Sequence, residues 1–118
     1  LRLGSVRTKD LVHLIGILQP GARLRTRRGL DVLIGAHVPI PGGWEVGKEL
    51  TALLGAINDG VGSPYEIHRW YETLHPFTDG NGRSGRALWL WQMTRLGYTG
   101  GIGFLHRWYY QSLEGRLE

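Results

Sequence analysis

Cysteine is absent from the 118 residues, which excludes disulfides and every zinc or iron–sulfur site built on thiolates. Long apolar runs are missing too: none approaches the roughly 20 residues needed to cross a bilayer. The opening Leu1-Arg2-Leu3-Gly4 lacks the apolar stretch of a signal peptide. The expectation is a soluble, cytoplasmic protein, with the native N-terminus left open because residue 1 is Leu rather than Met. At 13.3 kDa there is room for one domain, residues 1–118, and none for a second core. Acidic side chains are scarce at the start of the chain. Residues 1–28 hold seven basic groups (Arg2, Arg7, Lys9, Arg23, Arg25, Arg27, Arg28) against Asp10 alone, while residues 29–118 hold seven basic and nine acidic. The net charge of +4 is therefore local. Such a stretch suits either a polyanionic partner or a solvated surface.

What is present is helical periodicity. Leu11, Leu14, Ile15 and Leu18 recur at helical spacing, with Thr8 placed to cap and Pro20-Gly21 to stop the element. Residues 30–41 change to a short β-branched pattern centred on Gly35-Ala36 and ended by two prolines, which predicts a hairpin or flap rather than a central strand. Val46, Leu50, Leu53, Leu54 and Ile57 predict a second helix ended by Asn58-Asp59-Gly60. Ser63-Pro64-Tyr65-Glu66 combines a cap, a proline at the first helical position and a capping-box Glu. Further helices are expected from about Gly82 to Leu96 and from Ile102 or Gly103 to Leu113. The predicted fold is all-α, a compact helical bundle with one short β-hairpin flap.

The chemistry concentrates in His75-Pro76-Phe77-Thr78-Asp79-Gly80-Asn81-Gly82-Arg83-Ser84-Gly85-Arg86. Gly80 to Gly85 matches the dinucleotide fingerprint G-x-G-x-x-G by letter, but the context is wrong. A capped helix precedes it instead of a strand, and no acidic residue lies between Asp79 and Glu114. The glycines still let a ligand approach the main chain just ahead of a helix whose first amides lack helical partners, which makes an anion hole. Arg83 and Arg86, three apart, project from one face of that helix and suit a polyphosphate. Asp79 offers hard oxygen for magnesium shared with phosphates. His75 is a side chain able to accept a proton near neutral pH. Base, metal ligand, anion hole and arginine pair together predict phosphoryl or nucleotidyl transfer.

The same segment resembles the signature of the Fic family, His-Pro-Phe-x-Asp/Glu-Gly-Asn-Gly-Arg-x-x-Arg, with every fixed position present. The likeness extends over about residues 8–97, through Pro20-Gly21, Leu24-Arg25-Thr26, Val32-Leu33-Ile34-Gly35 and His37-Val38-Pro39-Ile40-Pro41. The resemblance implies a Fic fold and a protein adenylyltransferase that moves AMP from ATP to a Ser, Thr or Tyr hydroxyl of a target protein. His75 would be the base and Asp79 the ligand of Mg2+ on the nucleotide. Gly80, Asn81 and Gly82 would form the anion hole, Arg83 would hold the α/β-phosphates and Arg86 the γ-phosphate. Phe77 would bury its ring and pin the loop. The flap at Val32, Leu33 and Ile34 would pair with an extended target segment. The Doc-type branch, which transfers the γ-phosphate, typically has Ala and Lys where this chain has Gly80 and Gly82. That difference favours nucleotidyl transfer, although other members move UMP or phosphocholine.

Many members are inhibited by a helix carrying Ser/Thr-x-x-x-Glu-Gly/Asn. Glu114-Gly115 fits its second half, but Tyr110 stands where the hydroxyl residue belongs. Inhibition by Glu114, by a separate antitoxin, by a region outside this sequence, or none at all stays open. A reading from another class is a nucleic-acid-binding module using Arg23 to Arg28. His13, His68 and His106 are expected to be exposed or core imidazoles rather than metal ligands. His37 suits either a substrate contact or a bond within the flap. Trp70, Trp89, Trp91 and Trp108 fit core or half-buried surface.

Overall fold

The computed structural model describes residues 4–97, and four helices carry the architecture there: α1 (Thr8–Leu18), α2 (Trp44–Asp59), α3 (Pro64–Leu74) and α4 (Asn81–Arg95). The expected helix at 102–113, with His106 and Trp108, and the candidate inhibitory Glu114 lie outside the described residues. The all-α expectation is met.

Helix α2 is the centre of the core. Val46, Leu50, Leu53, Leu54 and Ile57, the residues whose spacing predicted it, are all buried. It packs on α3, α3 packs on α4, and α1 closes against both α2 and α4. Burying aliphatic side chains of this kind contributes about 1.5–3 kcal/mol each before ordering entropy is counted.

The caps follow from residue chemistry. Gly60 ends α2 in the left-handed region at φ 71°, where a Cβ would be strained. Ser63 Oγ accepts from the Glu66 amide at 3.2 Å and Glu66 Oε1 accepts from the Ser63 amide at 3.4 Å, completing the box at the start of α3. At α1 the capping residue is Arg7, not Thr8. Asp10 Oδ2 accepts from the Arg7 amide at 2.8 Å, and since a guanidinium has no acceptor, only this half of a box exists.

The flap is smaller than predicted. Ile34 and His37 exchange two main-chain hydrogen bonds, 3.0 and 2.9 Å, around Gly35-Ala36, and this single bridge is all that pairs in the segment among the described residues. Gly35 has φ 58° while Ala36 stays negative, the combination of a type II′ turn. Pro39 and Pro41 carry no amide hydrogen, so the second arm cannot extend the ladder.

One glycine serves packing. A Cβ on Gly85 would stand 2.9 Å from Glu72 Oε1 and 3.0 Å from Tyr71 Cδ1, so the α3/α4 contact depends on its absence. Gly85 therefore belongs to the core rather than to an anion hole. Gly85→Ala should destabilise the fold by a net ~1 kcal/mol, because overpacking of about 1–3 kcal/mol outweighs a helix-propensity gain of nearly 1. Urea denaturation measures this, and an unchanged or higher midpoint would mean that the Tyr71 ring yields.

Candidate functional site

His75, Asp79, Gly80, Asn81, Gly82, Arg83 and Arg86 line one open pocket of about 330 Å³, together with Gln19 and Thr78. Every motif residue singled out from sequence is thus gathered around the start of α4. The flap residues Val32, Leu33 and Ile34 are not part of that lining; Leu33 is 70% exposed and the other two are half-buried.

His75 ends α3 in the left-handed region, at φ 51°, the one described non-glycine residue with positive φ. Its amide donates to Tyr71 O at 2.9 Å, and its carbonyl accepts from Arg25 Nε at 2.7 Å. The main chain of His75 is thereby held on both sides while its half-buried side chain lines the pocket.

Asn81 acts mainly on the loop. Its Oδ1 accepts from the Phe77 amide at 2.9 Å and its Nδ2 donates to the Phe77 carbonyl at 2.8 Å, closing a buried ring of two hydrogen bonds. What Asn81 offers an anion is its main chain in the first turn of α4. Phe77 is 1% exposed, so ring and backbone are both fixed. Behind the helix start, Ser84 Oγ and the Tyr71 hydroxyl lie 2.6 Å apart. Burial pushes the Tyr71 phenol above its usual 10, with the Ser84 bond opposing, so this pair is neutral.

Gly80 precedes α4 at φ 74° with its amide donating to Asp79 Oδ1 at 2.8 Å. A Cβ here would touch Ile15 and Gln19 at 3.0 Å, so the glycine lets this turn pack closely against the end of α1. Asp79 is exposed, and its Oδ2 accepts from Gln19 Nε2 at 3.1 Å. Each carboxylate oxygen has two lone pairs, so these bonds orient Asp79 and leave one site on each oxygen. Among the described residues no group of three His, Asp or Glu forms a metal cage. One exposed carboxylate beside a glycine turn at a helix start would instead fit Mg2+ brought in with phosphates, since that ion keeps waters and uses one or two carboxylates. Arg83 Nη1 donates to Leu18 O at the end of α1, 2.8 Å. A guanidinium carries five donors, which leaves others for a phosphate.

Sequence reasoning missed Gln19, which carries no local signal, and misread Arg25. Arg25 is 0% exposed and so is not part of any surface for a polyanion. The stretch around it runs antiparallel to the motif: Arg25 N donates to Pro76 O at 2.9 Å, Thr78 N to Arg23 O at 2.8 Å, and Leu24 bridges Phe77. His37 Nε2 meets Thr73 O at 3.0 Å, so this imidazole ties the flap to α3. Beside it lies an apolar cavity of about 290 Å³ lined by Val38, Ile40, Trp70 and Leu74, among others. His68, Trp89 and Trp91 are buried, His13 is exposed, and no helix is long and apolar enough to cross a membrane among the described residues.

A helix start preceded by glycine and flanked by an imidazole, a carboxylate and two guanidinium groups is an arrangement that suits phosphate chemistry. The model of the Fic/DOC family matches residues 13–93, well over half of the chain. The chain belongs to the Fic/DOC family, whose members are typically transferases.

Proposed function

We propose that the protein is a nucleotidyltransferase that moves AMP from Mg2+-ATP to a hydroxyl side chain of a target protein. The observation that carries this reading is the shared pocket, in which base, carboxylate, anion-binding turn and both arginines meet. His75 takes the proton of the Ser, Thr or Tyr hydroxyl as its oxygen attacks the α-phosphorus. The bond from that phosphorus to the β-bridging oxygen breaks, pyrophosphate leaves, and the target carries AMP. The first-turn amides of α4 and Arg83 hold the α/β-phosphates, and Arg86 holds the γ-phosphate. Asp79, oriented by Gln19 and the Gly80 amide, would hold the Mg2+, which supplies charge neutralisation on the phosphates. The target segment lies along Val32 to Ile34, where Leu33 presents its side chain outward, with the neighbouring apolar cavity available to a flanking side chain.

Incubation with cell lysate and ATP labelled at either the α- or the γ-phosphate tests the reaction. Label should enter protein from the α-position only. Incorporation from the γ-position would make the protein a kinase, and none from either with competent wild-type protein would sink the transfer reading.

A further inference from the structure

A helix leaves its last carbonyls without helical donors. At the end of α3 these groups are met from one direction. Thr73 O is held by His37, and Leu74 O and His75 O accept from Arg25 Nη2 and Nε at 2.9 and 2.7 Å. The same guanidinium turns its Nη1 to the segment bearing the flap, donating to Leu30 O at 3.1 Å and Ile40 O at 2.9 Å. Four of the five donors of one side chain thus join two stretches of chain: the turn that carries the base, and the two ends of the flap. The Arg25 main chain repeats the pattern, its amide on Pro76 O and its carbonyl accepting from Gly43 N at 2.9 Å.

The guanidinium at this place supports the fold, since without it four main-chain carbonyls would lose a donor. Arg25 is fully buried with no carboxylate within 4.0 Å of it among the described residues, so its charge is met by those carbonyls, with Asp31 acting at longer range. What an apolar residue cannot do is fix two main-chain segments relative to each other through a planar fork. We propose that Arg25 is a positioning residue for the transfer reaction: it locks the flap to the His75 turn, so that a hydroxyl delivered along Val32 to Ile34 arrives at the imidazole. The inference rests on the transferase reading above.

Arg25→Lys keeps the charge but concentrates its donors at one point, so it cannot span both segments. Competent sites are first counted by binding of a non-hydrolysable ATP analogue, and the rate of α-label incorporation into lysate protein is then expressed per competent site. The expected result is analogue affinity within about twofold of wild type, because the anion hole belongs to α4, with a per-site rate lower by about 10²-fold, the scale of an ångström-sized misplacement. A merely structural role would reduce the number of competent sites and leave the per-site rate within twofold; that outcome overturns the proposal.

Native-state hydrogen exchange on the wild-type protein decides the matter should Arg25→Lys not fold, and also should wild type label nothing, a result that counts against the transferase reading separately. Gly42 and Gly43 on the flap side should open together with His75 and Thr78, with one shared opening free energy. Independent opening of the two sets overturns the lock.

Discussion

His75→Ala should lower α-label transfer by about 10²–10⁴-fold, the range attributable to a positioned general base, while Mg2+-ATP binding stays near wild type. The separation follows from geometry. The groups proposed to hold the phosphates belong to the turn before α4 and to its first turns, whereas His75 stands at the end of α3. The main-chain bonds of residue 75, its amide to Tyr71 and its carbonyl from Arg25, survive the truncation. A variant that modifies targets at the wild-type rate would remove His75 from the role of base. Loss of nucleotide binding in parallel with transfer would show instead that the imidazole contributes to the anion site.

The second large effect falls on a residue with no proton to move. Asn81→Ala removes the partner of the Phe77 N–H and that of the Phe77 C=O in a buried position. A buried donor or acceptor left unsatisfied costs about 1–3 kcal/mol, so the pair should cost about 2–6 kcal/mol. That is a large share of the roughly 5–15 kcal/mol typical of a whole domain. Denaturant unfolding should therefore show a sharply lowered midpoint, and nucleotide affinity should fall with it because the loop that sets α4's first turn is no longer clamped. Asn81→Asp separates the two hydrogen bonds: the carboxylate still accepts from the Phe77 amide but faces the Phe77 carbonyl without a hydrogen to give. Its stability should lie close to that of the Ala variant. Wild-type stability in Asn81→Ala would mean that water replaces the amide at no cost.

Helix boundaries were legible where a single residue has a single physical use. Ser63, Pro64 and Glu66 could do little else together, and Gly60 stops α2 for the reason any helix stops at glycine. The apolar stripe of α2 was equally plain because every third or fourth residue is buried. Helix α4 shows no such apolar stripe: Asn81, Ser84 and Gly85 are buried alongside Leu88, Trp89 and Trp91, because its first half packs on Phe77 and Tyr71 through hydrogen bonds and a glycine contact. The motif's resemblance to the family could be read from its spacing, and the family match over residues 13–93 agrees with it. The supporting contacts could not. Arg25 reads as one more charge in a basic run, and its burial depends on carbonyls 49 and 50 residues away. Gln19 reaches Asp79 across 60 residues of sequence. Gly85 looked like part of a phosphate loop because the spacing of glycines is the same whether the missing side chain makes room for a ligand or for a tyrosine ring.

The left-handed backbone at His75 bears on how this protein trades robustness against chemistry. A helix that must stop in that conformation is best served by glycine, and an ordinary side chain there gives up roughly 1 kcal/mol. The chain holds glycine at the equivalent stop of α2 and withholds it at the end of α3. Selection for endurance alone would put glycine in place of the histidine, and a search for stabilising substitutions would rank His75→Gly well. An edit that relieves this backbone is therefore also one that erases the proposed base, and strain kept at such a residue is what a role in the proposed chemistry would require.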